Sequence, residues 1–326
     1  MEILNQPLVS VLILNWNGED IIEESIISVL NTSYNNLEVI VVDNASTDRS
    51  LDILNRYPQI KVHKNQINQG YAKGNNTGFS LCNGKYIATL NNDIIVEPDW
   101  LNDPVKVLES EESVGIVSCR QMNSFDKNLI DTLYSYPTSY LLLGRFGCGQ
   151  LFNPEKPLFN KSGYTIGANG ASAIYRKKLL TTLGGFEDSF FAYHEECDLH
   201  MRAFYAGWKC KYVPTSVVYH KGSHSFNKVK KTFYYYHERN RIWFIYRNFP
   251  FSIILKNLHW IIIREIRTMV NMVFIRRFLF TYIRARWDGF IGMFRFKSIR
   301  ALNLKSYKNK KNELSVFFKK KKIEKF

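Results

Sequence analysis

Val9-Ser-Val-Leu-Ile-Leu14, Leu37-Glu-Val-Ile-Val-Val42 and Tyr86-Ile-Ala-Thr-Leu90 decide the fold. Each is a short apolar run, mostly unbroken rather than alternating, the pattern of a strand covered on both faces. Helical segments lie between them. Glu19 and Asp20 load the first turn of a helix reaching Leu30; Ser46 or Thr47 caps one reaching Tyr57, with Asp48 near its positive end. Ile60 to His63 reads as a short strand, Tyr71 to Cys82 as a glycine-punctuated helix, Pro98-Asp99 as a helix start, and Val114 to Ser118 as another strand. This alternation predicts an α/β, Rossmann-like, mostly parallel sheet flanked by helices.

Further along the pattern changes. Ser124 to Ser162 has no clean period and reads as a long loop or lid. Order returns at Gly167 to Tyr175, followed by a helix from Lys177 to Gly184-Gly185, a helix from Glu196 to Tyr205 closed by Gly207, and a strand from Ser216 to His220.

The chain has 326 residues, 45% of them hydrophobic, which excludes a disordered protein. Its net charge of +15 is unevenly placed: Lys221 to Phe326 holds 26 basic and 5 acidic residues, leaving 18 basic and 24 acidic in the rest. An acidic body of residues 1–225 therefore precedes a basic, aromatic-rich helical region of residues 226–326. The five cysteines form no C-x-x-C pair, which argues against a zinc module or disulfide scaffold and for a reducing, cytoplasmic setting. No secretory signal is expected, and the longest apolar candidate, Phe251 to Ile263, is broken by Lys256, Asn257 and His259.

In doubly wound sheets ligands bind beyond the C-terminal strand ends. Three polar clusters fall there: Asn15–Asn17, Asp43–Ser46 and Asn91–Asp93. Asp43 suits a base imide or ribose hydroxyl, or merely caps a helix. Asp93 suits a hard divalent cation. Gly70, Gly74 and Gly78 put small residues on one helix face; with Lys73 that helix start could meet a phosphate, or it could simply pack closely. The absence of G-x-G-x-x-G after the first strand and of a P-loop disfavours a nicotinamide enzyme or an NTPase. Glu195 and Asp198 lie a turn apart with Glu196 about 100° away, either a crowded pair that prepares a general base or a solvated acidic helix start. His220, in His220-Lys-Gly-Ser-His224, is a metal ligand or structural.

The ordered set Asn15-Trp-Asn-Gly18, Val42-Asp-Asn-Ala-Ser-Thr-Asp48, Asn68-Gln-Gly-Tyr-Ala…Gly-Asn-Asn-Thr-Gly78, Leu90-Asn-Asn-Asp93, Gly184-Gly-Phe-Glu…Phe190-Phe191 and Glu195-Glu-Cys-Asp-Leu199 resembles glycosyltransferase family 2, above all bacterial rhamnosyltransferase-like members. The resemblance covers about residues 7–250. It implies a GT-A fold and an inverting transfer from a nucleotide-diphosphate sugar, such as dTDP-rhamnose, to a glycan or lipid-linked glycan in polysaccharide synthesis. It further implies that Asn15, Asn17, Asp43, Asn44, Gly70, Lys73, Asn75 and Asn92 bind the nucleotide. Asp93 and His220 would hold Mn²⁺ or Mg²⁺, with Asn91 standing where many members have a first acid. Glu196 would be the base, with Glu195 and Asp198 as alternatives, and Gly185, Phe186 and Glu187 would meet the acceptor.

Lys256, Arg264 and Arg267 fall within about 80° on a helical wheel. The basic third thus reads as helices on an anionic membrane surface at the inner face of the cell membrane, apolar side down, with Lys319–Lys322 as a polybasic tail. The competing expectations are a solvated helical subdomain, transfer to a polyprenyl phosphate or protein, a nucleic-acid-binding protein using the basic region, and a sugar-nucleotide binder without catalysis. The acidic body argues against nucleic acid as a partner.

Overall fold

The computed structural model describes residues 6–222 and 230–323; His224 lies outside them. One sheet organises the body. Its strand order is β10-β12-β6-β11-β4-β1-β2-β3, with β5 on β12 and β7 on β6. β1 (Val9–Asn15), β2 (Leu37–Asp43), β3 (Lys61–Lys64) and β4 (Tyr86–Asn91) are parallel neighbours, with Asn15 opposite Asp43. β6 (Val114–Asn123) and β12 (Lys209–His220) pair parallel with each other, and β11 (Ser172–Arg176) runs antiparallel between β4 and β6.

The apolar runs are unbroken because both faces are covered. Val11, Ile13, Val39 and Val41 face α1 (Ile22–Leu30), α2 (Ser50–Leu54) and α4 (Asn102–Ser110), whereas Leu12, Ile40 and Val42 face α3 (Gly70–Leu81), α6 (Lys177–Leu183) and α7 (Glu195–Tyr205). The glycine stripe of α3 is a packing device: a Cβ on Gly74 would come within 2.7 Å of Leu14 Cδ1, and Leu12 fills the space beside Gly78.

Several expectations are corrected. The stretch 124–162 is no lid: it forms β7 (Ile130–Thr132), which joins the main sheet, the hairpin β8 (Tyr134–Pro137) with β9 (Leu143–Phe146), and the short α5 (Pro157–Asn160). Neither Ser46 nor Thr47 caps α2: Ser46 bonds Asp43, and Asp48 accepts from Ser50 N at the actual helix start. α4 begins at Asn102 rather than at Pro98. β5 (Ile94–Val96) and β10 (Gly163–Thr165) complete the sheet.

After residue 230 the chain is helical: α8 (Lys230–Asn248), α9 (Phe251–Lys256), α10 (Leu258–Val270), α11 (Leu279–Met293) and α12 (Lys297–Ile323). Trp243, Phe244 and Phe249 share one apolar core with Phe190, Cys197 and Met201 of the body. Lys256 and Arg264 lie on different helices. Arg264 turns inward while Ile262 and Ile266 turn outward.

Candidate functional site

The parallel strands end at one edge, and the polar clusters meet there. Asn15 Nδ2 donates to Asp43 Oδ1 at 3.0 Å, and Asn92 Nδ2 donates to Asn15 Oδ1 at 2.8 Å. Ser46 N and Oγ also donate to Asp43, whose carboxylate is fully buried. Asn17, at φ 49°, accepts from Thr47 N and so ties the loop after β1 to the loop after β2. Asn15, Asp43 and Asn92 therefore form one bonded row across three strands.

Other candidate nucleotide contacts are occupied internally. Asn44 Nδ2 donates to Asn68 and to the Gly70 carbonyl, and its Oδ1 accepts from Asn65 and Gln69 N, which exhausts its amide. Asn75 donates to the Tyr71 carbonyl. At the start of α3, Gly70 N bonds Asn68, Ala72 N bonds the Phe191 carbonyl, and Lys73 is exposed on the flank. The polar groups of that helix end are thus partly engaged within the chain, Asn44 fully, while Lys73 stays exposed.

Asp93 follows β4. Its Oδ2 lies 3.3 Å from His220 Nε2, while its Oδ1 is buried without a hydrogen-bond partner, as is Asn91 Oδ1. His220 Nδ1 lies 3.2 Å from Asp131 Oδ2, and Arg145 holds Asp131 Oδ1 at 2.6 Å. Burial alone would lower the His220 imidazole, but bonds to Asp131 and Asp93, and their charges, raise it to about 9. Asp131 was missed in the sequence because it sits on the three-residue β7, inside a stretch read as a loop. Among the described residues, no group of three His, Cys, Asp or Glu is arranged to hold a metal.

The acidic pair opens α7. Glu195 Oε2 and Glu196 Oε2 are both buried and without hydrogen-bond partners. Burial raises both carboxyls, and the charge of Glu196 pushes Glu195 further, well above the carboxylate range. Glu196, the more accessible of the two, packs against Gly170. Tyr71 of α3 donates to the Gly170 carbonyl at 2.5 Å. Burial lifts the Tyr71 phenol, and the charges of Glu195, Glu196 and Asp93 lift it further. Asn91 N bonds the Ala171 carbonyl. Asp93, Tyr71, Gly170 and the acidic pair therefore lie in one neighbourhood.

Asp198 is spoken for. Arg202 Nε, Arg247 Nε and Asn248 Nδ2 reach it at 2.8, 2.7 and 3.0 Å in full burial. Burial opposes its ionisation, but Arg247 and Arg202 hold its carboxyl down at about 2. It anchors α7 to α8 and is no base. The expected acceptor segment is also structural. Phe186 is a core residue, 3% exposed, packed on Tyr71, Phe79 and Tyr175, and so cannot meet an acceptor. Gly185 supplies φ +68° and its carbonyl accepts from Arg202; Glu187 pairs with Arg247 at 3.0 Å.

Just before the acidic pair, Phe191, Tyr193 and His194 all adopt φ between 66° and 73°. Three non-glycine residues in that region mark a strained loop. Asn240 of α8, fully buried, holds it: its Nδ2 lies 2.8 Å from the carbonyls of Phe190, Ala192 and Tyr193, while Arg239 bonds those of Ser189 and Phe190.

This half-parallel sheet, with acids gathered at its strand ends, has the GT-A architecture. Residues 10–184 match the family described as Glycosyl transferase family 2. That is more than half of the chain, and the protein belongs to this family. An uncharacterized glycosyltransferase of Haemophilus influenzae is 38% identical over 114 residues, 34% of this chain and 35% of the relative. Chondroitin synthase of Escherichia coli is 32% identical over 136 residues, 40% of this chain and 20% of the relative. The E. coli UDP-Glc:alpha-D-GlcNAc-diphosphoundecaprenol beta-1,3-glucosyltransferase WfaP is 31% identical over 107 residues, 32% of this chain and 43% of the relative. The chain thus spans less than half the length of each of these relatives.

Among solved structures, S. aureus TarS residues 1–349 with UDP-GlcNAc superposes with a TM-score of 0.60 at 17% identity, covering 92% of this chain and 89% of that one. GalNAc-T7 with UDP, GalNAc and Mn²⁺ gives 0.58 at 16%, covering 74% and 48%. A Pyrobaculum calidifontis mannosyltransferase with GDP-Man and Mn²⁺ gives 0.55 at 17%, covering 93% and 87%. At these identities the likeness speaks for the fold.

Proposed function

We propose that the protein is an inverting glycosyltransferase moving a sugar from a nucleotide-diphosphate donor to a hydroxyl of a glycan or lipid-linked glycan in cell-surface polysaccharide synthesis. One observation carries the reading: Glu195 and Glu196 each bury an unpartnered carboxyl oxygen, and both lie around Tyr71 together with Asp93, whose Oδ1 is likewise buried and unpartnered at the strand ends.

Glu196 is the base. Burial raises its carboxyl, which suits it to take the acceptor hydroxyl's proton. The acceptor oxygen bonds the sugar's anomeric carbon as the bond to the diphosphate breaks, and the diphosphate leaves with the electron pair. Asn15, Asn17, Asp43 and Asn92 shape the nucleoside end. For a divalent cation, Mn²⁺ or Mg²⁺, the residues fit. Asp93 offers an orphaned buried carboxylate oxygen, and Asp131 on Nδ1 aims His220 Nε2 toward Asp93, the usual way a carboxylate orients a ligating histidine. Asp93 and His220 would hold such a cation, and oxygen ligands from outside the chain would have to complete its shell. When bound, the cation neutralises charge on the departing diphosphate.

The name of one relative prints UDP-Glc as its donor, whereas the sequence resemblance points to dTDP-rhamnose. A thermal-shift panel of nucleotide diphosphates with and without Mn²⁺ separates them. Glu196→Gln tests the base: transfer falls by about 10²-fold or more while the nucleotide shift persists. Transfer within a few-fold of wild type moves the base role elsewhere.

A further inference from the structure

The C-terminal helices are assembled inside out. On α10, Arg264, Glu265 and Thr268 turn inward, and Ile262, Ile266 and Met269 turn to solvent. On α11, Ala285, Gly289 and Gly292 pack inward, the two glycines against Ile242 and Trp243 of α8. Phe280, Ile283, Trp287 and Phe290 point out; Phe280 is 85% and Trp287 66% exposed. The turn between these helices adds Phe274, 70% exposed, and Ile275. Patches of this extent on a soluble surface mark a binding face. No helix of the described residues is long and apolar enough to cross a membrane.

Charge selects the occupant. Lys256, Arg267, Arg276, Arg277 and Arg284 are exposed around the apolar ridge. The two acids of α10 and α11 are engaged: Glu265 with Arg241 and Arg286, and Asp288 with Tyr235 and Arg284. A second copy docked through the same face would set these cations against their own images. An anionic lipid surface neutralises them, and Trp260 and Trp287 suit its interfacial layer. Beside the ridge lies a 210 Å³ cleft lined by Tyr140, Arg264, Arg267, Thr268 and Asn271, with Glu238 on its wall already paired to Arg241 and Arg286. Arg264 Nε is buried there without a hydrogen-bond partner. Guanidinium groups with hydroxyl and amide neighbours match a phosphate. Arg264 also lies near enough to His194 to help lower its imidazole, so the cleft adjoins the loop that carries the acidic pair.

We propose that the outward ridge of α10 and α11 docks into an anionic bilayer and that the Arg264–Arg267 cleft receives a lipid phosphate. That this phosphate belongs to the acceptor rests on the transferase reading; the docking is measured without turnover.

The test is flotation of the full chain with phosphatidylglycerol/phosphatidylcholine vesicles, with pure phosphatidylcholine vesicles, and with a single-stranded oligonucleotide as competitor. Wild type floats with the anionic vesicles and binds the neutral ones more weakly, by about fivefold per engaged cation. The double variant Ile266→Glu, Trp287→Glu changes only exposed side chains; it stays in solution and keeps its nucleotide-diphosphate thermal shift. Arg264→Gln with Arg267→Gln loses the preference for anionic vesicles. Undiminished flotation of the ridge variant overturns the docking, and an unchanged lipid preference of the cleft variant overturns the phosphate site. Flotation abolished by the oligonucleotide, or a wild-type dimer that the ridge variant converts to monomer without any vesicle binding, assigns the face to nucleic acid or to a second copy and overturns the proposal. Loss of the nucleotide shift in wild type, with flotation intact, sinks the transferase reading alone.

Discussion

Truncating Asn240 to alanine tests how the acidic pair is held. The Asn240 amide sits 2.8 Å from three backbone carbonyls of the loop 190–193, and Arg239 Nε donates to its Oδ1 at 2.9 Å. Each net hydrogen bond is worth about 1 kcal/mol, and a buried carbonyl left unpaired costs about 1–3 kcal/mol. The amide has two hydrogens for three acceptors, so Asn240→Ala loses about 3–4 kcal/mol, read as a shift of the urea midpoint at constant slope. Phe191, Tyr193 and His194 hold positive φ at roughly 1–3 kcal/mol each, strain this amide helps to contain. Released, the loop relaxes and carries Glu195 and Glu196 with it. A displacement near 1 Å lowers turnover by about 10²-fold. The signature is a fall in kcat of the folded fraction with the nucleotide affinity kept, which a purely structural role would not produce. A midpoint shift under about 1 kcal/mol with unaltered kcat refutes the reasoning.

Three further outcomes follow from the same geometry. Glu195→Gln raises stability at neutral pH: the native carboxyl titrates above its unfolded value, so the fold loses stability as pH rises between the two, and the gain in midpoint vanishes as pH falls toward the ordinary carboxylate range. Asp198→Asn loses about 3–5 kcal/mol at neutral pH, because Arg202 and Arg247 stay buried without their anion. Since the native carboxyl sits near 2, below its unfolded value, its contribution is present above about pH 4, and the gap between wild type and variant closes as pH falls from there toward 2 in urea titrations. Gly74→Val loses about 1–3 kcal/mol in the same assay, since Leu14 stands 2.7 Å from the first added carbon.

The central strands were legible because burial on both faces writes an uninterrupted apolar run; Val9, Val11, Leu12 and Ile13 are each 0% exposed. The stretch 124–162 was not, since β7, β8 and β9 are three or four residues long, too short for any period to show. β12 was read only in its second half, because its register with β6 shifts between Val213 and Val217. At the site, strand-end position correctly gathered Asn15, Asp43, Asn92 and Asp93. Helical spacing misled about Asp198: a shared face says nothing of the guanidinium that waits there, since Arg247 arrives from 49 residues further along. Asp131 and Asn240 left no local trace, as each acts on a distant segment.

The helix 230–248 and the acidic pair both lie outside the stretch 10–184 that defines the family match, and the helix's amide clamps the turn on which that pair stands. The C-terminal portion is therefore not freely exchangeable. A tail grafted from another member would carry its own surface preference, but it would restore turnover only if it also brought a side-chain amide to the same helical turn. Inheritance of the loop 190–193 and of that single asparagine should go together.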